Sequence, residues 1–530
     1  MAEGDTGAED IGAAGDIARS GARPSSVPGF TQRQLVTVLG SLIVAVFLST
    51  LDTTIVSTAL PTIAGQFNAF ESFAWVGTAY IVTATIAAPL LGKLSDLFGR
   101  RPVFQATMGI FFLGSLLCGL AQSMGQLIAF RAVQGLGGGA IQALAFSILG
   151  DILPPRERGR YIGYFTIAFA TAALAGPLVG GTIVDHASWR WIFFVNLPLV
   201  GVATIGTHIT LRLPFTRRKA RIDWLGAAFL SGGLAMLMLG LEEGKNGWGR
   251  GNVIGFLVGA GVLLVAFVGQ ERRAAEPMIP LRLFRNRVVL ACCMLGFLAG
   301  GVSYGAQNFL PLYFQDALFI RPTLSGLRML PVMIGVVIMS FAAGRVIART
   351  GRYKLFPLFG TAAMCIALFF VAQIDGGTSY TFLALPMLLL GLGSGSLYTT
   401  SSIALQNACE MRDLGVATAT MMFFRSLGGS IGMAGYGTVL NSTIRNELPS
   451  RIGQTPAQAV KLIRAPAEIK ALAPETRAAV IDSIATGVSR IYWVAAFSML
   501  VAVAWAVFLP EVPLRTKAGI SDALAEASLV

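Results

Sequence analysis

GKLSDLFGRR, residues 92 to 101, recurs in weaker form as GRVIARTGRY, residues 344 to 353, roughly 250 residues later. A glycine run shows nearly the same offset, from GLGGG at 135 to 139 to GLGSG at 391 to 395. Each stretch lies within or beside an apolar segment, so the two copies mark corresponding places in a repeated unit. We therefore predict two related halves, residues 35–212 and 288–509, with an insertion at 213–287 between them.

The composition is typical of a membrane protein. Of the 530 residues, 54% are hydrophobic and 13% are charged, whereas an ordinary soluble domain carries about 25% charged residues. The net charge of +13 does not predict binding to nucleic acid, because the basic residues lie in short patches between apolar runs, as membrane topology favours. With two histidines and five cysteines that lack CxxC spacing, the sequence predicts no metal site and no cofactor.

Apolar segments long enough to cross a bilayer occur along the whole chain. A hydrocarbon core about 30 Å thick needs roughly 20 helical residues. The segments that meet this length are 35–65, 73–93, 103–123, 126–150, 160–184, 190–212, 223–243, 252–270, 288–314, 323–347, 355–374, 380–405, 413–441 and 487–509. We therefore predict an all-α membrane protein with fourteen transmembrane helices, six in each half and two in the insertion.

The basic residues predict the orientation in the membrane. Loops after even-numbered spans carry about twenty Lys and Arg, against roughly four in the other loops of comparable length, and basic loops stay in the cytoplasm. Both termini are then cytoplasmic, residues 1–34 as a disordered tail and 510–530 as a second tail. The loop 442–486 falls outside, where Val480, Ile481 and Ile484 at helical spacing predict short amphipathic helices on the surface. We expect a multi-pass monomer of the cytoplasmic membrane, surrounded by lipid.

One carboxylate lies deep in the first span. Asp52 is about 17 residues, or roughly 25 Å, from the start of that helix, and it shares a helix face with Ser49, Thr53 and Ser57. Such a face contacts protein or water and not lipid. Because burial disfavours the charged form of a carboxylate, Asp52 can alternate between neutral and charged as water and substrate come and go. It is a candidate proton-coupling residue; the alternative is a structural carboxylate held by permanent hydrogen bonds.

Two arginines also lie inside predicted spans. Arg131, in the fourth span, shares a helical stripe with Gln134 and Gln142. A guanidinium stays protonated and cannot carry the proton itself, but Arg131 can tune a nearby carboxylate or tie helices together by hydrogen bonds. Arg425, in the thirteenth span, is a candidate intramembrane counter-ion or a contact for an anionic substrate group, and a packing role is equally open.

The first half carries several short motifs in a fixed order. They are G-x-L-x-D-x-x-G-R-R at Gly92, Leu94, Asp96, Gly99, Arg100 and Arg101; R-x-x-Q-G-x-G at Arg131, Gln134, Gly135 and Gly137; and G-P-x-x-G-G at Gly176, Pro177, Gly180 and Gly181. The stretches 51–61 and 189–198 accompany them. Together these motifs resemble those of the major facilitator superfamily, specifically its fourteen-helix drug:proton antiporter branch.

The resemblance implies a role for each motif. It implies proton translocation for Asp52 and Arg131, a cytoplasmic latch of the outward-open state for the Asp96 motif, and exchange with a tight seal for the motif that begins at Gly176. The residues alone support less. The arginines of the loop could simply fix topology, and glycines beside Pro177 support only a closely packed, kinked helix.

Uncharged polar and aromatic side chains are candidates for a substrate-binding wall. They are Tyr80, Tyr304, Gln307, Asn308, Gln315 and Tyr398. Such a wall suits amphipathic organic molecules better than sugars or inorganic ions, although aromatic residues also fill protein cores.

These features and the resemblance predict a proton-coupled antiporter that exports lipophilic or amphipathic small molecules, such as drugs or antibiotics, by alternating access. An exporter of lipids or secreted metabolites with the same fold is the alternative. An enzyme would need a nucleophile–base pair or a metal cluster within the spans, and a receptor would not need charges at that depth. We therefore predict that the protein is not an enzyme.

Overall fold

The computed structural model of the chain describes residues 31–67, 73–211, 223–244, 247–274, 276–410, 413–452, 469–470 and 472–514. Its long helices follow the predicted spans. They are α1 (Gln32–Phe67), α2 (Phe73–Phe98), α3 (Arg100–Leu120), α4 (Met124–Ile152), α5 (Pro155–His186), α6 (Asn196–Thr210), α7 (Trp224–Gly244), α8 (Gly251–Glu271), α9 (Arg287–Leu312), α10 (Leu330–Thr350), α11 (Leu355–Val371), α12 (Tyr380–Ala408), α13 (Leu414–Ile452) and α14 (Pro474–Phe508).

Twelve helices in the described part of the chain are long and apolar enough to cross a membrane. Helix α6 is among them because the short helix Trp191–Phe194 precedes it directly, and the two together span Trp191–Thr210, which is 20 residues. The two others are α11, which has only 17 residues, and α13, which has 39 residues but contains Arg425 and many glycines, serines and threonines. The all-α membrane class is thus confirmed, whereas the count of fourteen crossings stays a prediction.

The two halves repeat one pattern of helix packing. In the first half α1 packs against α5 and α6, α2 against α4, and α3 against α4. In the second half the same places are taken by α9 against α13 and α14, α10 against α12, and α11 against α12. The pairing recurs with a shift of eight helices because α7 and α8 form a separate hairpin between the halves.

The backbone conformation explains why both copies of the repeated loop motif keep a glycine near their ends. Gly99 follows α2 with a φ of 95°, and Gly351, its counterpart in the second copy, follows α10 with a φ of 70°. Residues other than glycine rarely adopt such positive φ angles, so both copies keep a glycine where the chain turns from one helix into the next. The acidic residue of the first copy, Asp96, has no counterpart in the second, which has Ala348.

The α7–α8 hairpin packs on both halves. Its two helices contact each other, and α7 also contacts α2 and α13. Leu230 of α7 and Phe267 of α8 share an apolar cluster with Phe423 of α13. Lys93 at the end of α2 forms an ion pair with Glu276, which follows α8, at 2.9 Å. The hairpin therefore lies against the junction between the halves.

The segment 442–486 differs from the prediction. Helix α13 continues through Ile452, and α14 begins at Pro474, while 453–468 and 471 lie outside the described residues, as do the tails 1–30 and 515–530. Val480 and Ile484 are fully buried in the core of the second half. The prediction of separate surface helices is therefore wrong for the described parts, because these apolar positions pack against neighbouring helices and extend the spanning ones.

Side chains of the two halves form hydrogen bonds with each other at one end of the bundle, here called the basic end. The α2–α3, α4–α5, α10–α11 and α12–α13 connections lie at this end. Arg158 at the start of α5 donates to Gln406 Oε1 near the end of α12 at 3.1 Å. Gln406 Nε2 in turn donates to the carbonyl oxygen of Phe146, on α4 of the first half, at 3.0 Å. At the opposite end, the ring of Phe67 stacks edge-on against Trp189 of the same half. The halves are thus joined at the end that the basic residues predict to be cytoplasmic.

Candidate functional site

Asp52 lies at the centre of a buried polar cluster in the first half. Its side chain is 0% exposed and accepts hydrogen bonds from two other helices. Arg131 Nη1 donates to Oδ2 at 2.6 Å, while Gln134 Nε2 and Asn196 Nδ2 each donate to Oδ1 at 2.8 Å. Because an ionised carboxylate can only accept hydrogen bonds, these three donors match its oxygens and fix the orientation of the Asp52 side chain.

Arg131 is the counter-charge of Asp52. Its Nη1 also donates to Gln134 Oε1 at 2.6 Å, and its guanidinium lies over the ring of Tyr80, 4.2 Å from the centroid. The ion pair is buried on both sides, with 2% of Arg131 exposed. Removing either charge of such a buried pair costs about 3–5 kcal/mol, so Asp52 and Arg131 depend on each other for their place in the bundle.

Glycines bring the helices of this cluster together. A Cβ atom at Gly114 of α3 would lie 2.5 Å from the Cα atom of Gln134 on α4. A Cβ atom at Gly135 of α4 would lie 2.5 Å from the carbonyl oxygen of Tyr80 on α2. Real Cβ atoms do not approach so closely, so only glycine permits these contacts. Gly114 and Gly135 therefore let α3 and α2 pack directly against the part of α4 that carries Arg131 and Gln134.

The Asp96 motif lies at the basic end and joins the halves. Asp96 forms an ion pair with Arg100 and accepts a hydrogen bond from the backbone N–H of Val416, at 2.8 Å, in the first turn of α13. Arg100 Nε also pairs with Asp151 Oδ2 at 2.6 Å. A carboxylate is favoured at a helix N-terminus by the unsatisfied N–H groups there. Asp96 thus links α2 of the first half to α13 of the second.

The glycines of the Asp96 motif have separate roles. A Cβ atom at Gly92 would clash with the side chain of Ala419 on α13, so this glycine lets α2 and α13 touch, whereas Gly99 supplies the turn. Arg101 is half-buried beside the cluster. The structure brings Gly92, Asp96 and Arg100 together at the interface between the halves.

The motif on α5 divides into contact and non-contact positions. A Cβ atom at Gly176 would lie 2.6 Å from the Thr54 Cβ atom on α1, and one at Gly180 would lie 2.9 Å from Ile55 Cγ1. Gly181 has open space around its Cβ position, and Pro177 is exposed on the bundle surface. The close packing expected of this motif therefore involves Gly176 and Gly180 but not Gly181.

The substrate-wall candidates do not form one wall. Tyr80 is 4% exposed and belongs to the Arg131 cluster. Tyr304 and Tyr398 lie near Arg425 in the second half, and the Tyr398 ring centroid is 4.8 Å from the Arg425 guanidinium. Asn308 is exposed and donates to the carbonyl of Tyr304, one turn earlier on its own helix, at 2.7 Å.

The two glutamines among the wall candidates, Gln307 and Gln315, belong to α9 and to the turn that extends it. Gln315 lies in the π-helical turn Tyr313–Ala317 that extends α9, and it donates to Ser325 Oγ at 3.4 Å. The side chain of Gln307 lies outside what the structure describes. Of the described wall candidates, Tyr304 and Tyr398 therefore share the surroundings of Arg425, while Tyr80 shares those of Arg131.

Sequence reasoning missed several residues of these clusters. Asn196 lies in the stretch 189–198 and contacts Asp52 from 144 residues away, and Ser115 Oγ accepts from Gln134 Nε2 at 2.7 Å. Asp151 completes the ion-pair cluster at the basic end. The available signal was a polar side chain inside an apolar run, which is costly in a membrane unless it is paired. By this criterion, the polar side chain of Asn196 within an apolar run is a candidate site residue in the same way as Asp52.

The fold and the buried charge pair define a transporter-like membrane protein, and comparison with known proteins identifies its family. The sequence matches the Major Facilitator Superfamily over residues 42–433, and the chain belongs to this family. It is 32% identical to Multidrug resistance protein 3 of Bacillus subtilis over 493 residues, which cover 91% of this chain and 96% of that protein. It is also 36% identical to the efflux pump dotC of Dothistroma septosporum, over 79% of this chain and 73% of the pump.

A solved structure shows the same fold. The proton:xylose symporter XylE superposes with a TM-score of 0.62 at 13% sequence identity, covering 93% of this chain and all of that chain. At this level of identity the likeness concerns the fold and not the substrate.

Proposed function

We propose that this protein is a proton-coupled antiporter that exports lipophilic or amphipathic small molecules, drugs among them, across the cytoplasmic membrane. The observation that carries the proposal is Asp52, a titratable carboxylate that is fully buried in an apolar helix bundle and held by Arg131, Gln134 and Asn196. Ionisable residues in such places mark proton and ion pathways. The names of the two relatives, a multidrug resistance protein and an efflux pump, support drugs as the substrate class.

The geometry around Asp52 suggests how the proton is handled. A protonated carboxyl has one O–H donor and no longer neutralises Arg131, so its surroundings must offer an acceptor. Asn196 Oδ1 is buried with no hydrogen-bond partner in the described part of the chain. If the side-chain amide of Asn196 rotates by about half a revolution, its Oδ1 atom replaces Nδ2 beside Asp52. Asn196 can then donate to the ionised carboxylate and accept from the protonated one.

The junction at the basic end supports alternating access. The Asp96–Val416 link and the close approach of Gly159 to Gly344 between α5 and α10 hold the halves together at that end. We assign this end to the cytoplasm and the structure to a state closed on that side. Opening of the basic end then requires that Asp96 release the first turn of α13.

The decisive experiment compares proton and substrate movement in the same vesicles. Purified protein is reconstituted in proteoliposomes with an internal pH dye, and neutral, cationic and anionic amphipathic compounds are added to wild type and Asp52→Asn. We expect wild type to move protons only when substrate is added, and Asp52→Asn to lose this movement while it still binds substrate. Asp185→Asn, a carboxylate exposed at the end of α5, is the matched control.

A second variant separates coupling from folding. Asp52→Asn leaves Arg131 buried without its counter-charge, whereas the double variant Asp52→Asn, Arg131→Gln removes both charges and restores neutrality. If the double variant is folded, binds substrate and still exchanges it for protons, Asp52 is structural. If wild type moves substrate without any proton movement under every imposed gradient, antiport itself is refuted.

A further inference from the structure

Helix α13 of the second half, which the sequence predicts to cross the membrane, carries a charge that the proposed proton site does not use. Arg425 lies on α13, about 16 Å along the helix from Leu414, and its side chain is half-buried. Asp52 and Arg131 neutralise each other, but within the described ranges no carboxylate forms an ion pair with Arg425. A fixed guanidinium at this depth without an anion is costly, and the cost is removed when a ligand brings the anion.

The neighbours of Arg425 are neutral and aromatic. The ring of Tyr398, on α12, lies 4.8 Å from its guanidinium carbon, and the Tyr398 hydroxyl is itself held by Ser303 and by the carbonyl of Ala299, the latter at 3.3 Å. Stacking on a ring stabilises a guanidinium only in part and leaves its N–H donors free. The surroundings thus fix the position of Arg425 without satisfying its charge.

Glycines on α9 and α13 are required for this arrangement. A Cβ atom at Gly300 of α9 would clash with the carbonyl oxygen of Arg425 and lie 3.0 Å from its carbonyl carbon. A Cβ atom at Gly429 of α13 would lie 2.6 Å from the Tyr304 ring. The two helices therefore pack so closely at this level that Arg425 and Tyr304 are held beside each other.

Tyr304 connects this region with the first half. It lies within electrostatic reach of Arg425 and of Tyr80, and Tyr80 stacks against Arg131. A row of two arginines and two tyrosines therefore runs from the second half to the proton site in the first. In a transporter of this fold, the interface of the halves is where a substrate binds.

We propose that Arg425, with Tyr304 and Tyr398, binds the acidic group of a lipophilic anion, so that the preferred substrates are aromatic or aliphatic carboxylates and not lipophilic cations. The inference rests on the proposed export function and specifies its substrate class. The planar guanidinium matches a carboxylate in a two-pronged hydrogen bond, and the tyrosine rings supply the apolar contact. A lipophilic cation would bring a second positive charge to a site that already has an unbalanced one.

Three pyrene compounds of matched shape test the proposal. Pyrenebutyrate, its neutral amide and pyrenebutyl-trimethylammonium are titrated into the full chain in nanodiscs of zwitterionic lipid, without any gradient, and binding is followed by pyrene fluorescence. Because a hydrogen bond to a charged group is worth about a tenfold to hundredfold change in affinity, wild type should bind the carboxylate that much more tightly than the amide. The cation should bind more weakly than the amide.

Variants then assign the preference to Arg425. Arg425→Gln should bind the carboxylate and the amide equally, with the affinity for the amide unchanged, and Arg425→Lys should keep part of the preference. Arg349→Gln, an exposed arginine at the end of α10, should behave as wild type. Gly300→Ala should lower carboxylate binding by displacing Arg425, whereas Gly435→Ala, which has open space at its Cβ position, should not.

The outcomes distinguish this inference from the proposed function. If wild type binds the cation as tightly as the carboxylate, or if Arg425→Gln keeps the full preference for the carboxylate, the anion site is refuted, while proton exchange can still be measured with other substrates. If the carboxylate preference depends on Arg425 but no substrate drives proton movement, the antiport mechanism fails and the anion site stands. The comparison among ligands on wild type holds even if a variant does not fold.

Discussion

Gly176→Ala and Gly181→Ala test how α1 is packed against α5. The two glycines belong to one motif and lie on one helix, but an added methyl group would have different surroundings at each. At Gly176 the new Cβ atom would lie 2.6 Å from the Thr54 Cβ atom and 3.1 Å from the backbone nitrogen of Ile55, whereas at Gly181 nothing lies within 4 Å. Neither neighbour at Gly176 can rotate away, because both are fixed to the backbone of α1.

The expected size of the effect follows from these distances. Ordinary contact at a Cβ atom is 3.4–4 Å, so α1 and α5 must separate by about 1 Å, and overpacking of this kind costs about 1–3 kcal/mol. Alanine also gains up to about 1 kcal/mol over glycine in a helix. This gain is the same in Gly176→Ala and Gly181→Ala, so the difference in stability between the two variants equals the cost of overpacking at Gly176.

The same displacement reaches the Asp52 cluster, which we propose as the proton site. Asp52 is two residues from Thr54 on α1, and its hydrogen bonds to α4 and α6 are 2.6–2.8 Å long. A shift of about 1 Å stretches them beyond the usual range for hydrogen bonds. We therefore expect Gly176→Ala to lower both the stability of the protein and its proton-coupled exchange. Gly181→Ala should lower neither.

The protein carries a built-in probe for unfolding. The buried thiols Cys118, Cys292, Cys293 and Cys409 form no disulfide within the described part of the chain, so a thiol-reactive fluorophore labels them only when the bundle opens. On heating in detergent, Gly176→Ala should open several degrees below Gly181→Ala, since 1 kcal/mol corresponds to about 2–4 °C for domains of 150–250 residues. Equal opening temperatures, or a lower one for Gly181→Ala, would refute the contact between α1 and α5 described above.

Two further substitutions test the other clusters. Asp96→Asn removes the charged acceptor of the Val416 N–H group, and such a hydrogen bond is worth about 1.5–3 kcal/mol. Hydrogen–deuterium exchange of the backbone amides at the start of α13 should therefore become faster in Asp96→Asn and stay unchanged in the control Arg101→Gln. Equal exchange rates in the two variants would contradict the link between Asp96 and α13. Asn196→Ala removes one hydrogen-bond donor to Asp52 Oδ1 and also removes the Asn196 Oδ1 acceptor. The number of protons moved per substrate molecule in proteoliposomes should therefore fall. An unchanged number would contradict the proposed role of Asn196 in proton coupling.

The sequence predicted the helices well where a single physical cause dominates. A stretch of about 20 apolar residues must form a helix in a bilayer, because its backbone groups have no other partners, and α1 to α10, α12 and α14 satisfy this rule. It predicted the segment 442–486 poorly, because Val480 and Ile484 have the same apolar spacing whether they face a membrane surface or a helix. Their burial in the second half decided between the two.

What the sequence by itself determined is the chemistry available inside the membrane. Asp52, Arg131 and Arg425 are identified from the chain alone, because a charge within an apolar run is costly and must have a reason. Spacing along one helix also predicts which residues share its face.

What only the tertiary structure decided is which of these groups meet. Asn196 contacts Asp52 across 144 residues, Gly176 contacts α1 while Gly181 does not, and Arg425 has aromatic neighbours where Arg131 has a carboxylate. No periodicity along one helix predicts these differences, because each depends on the distance and rotation of several helices packed around a common point. Those quantities are set by the side chains of all the helices together.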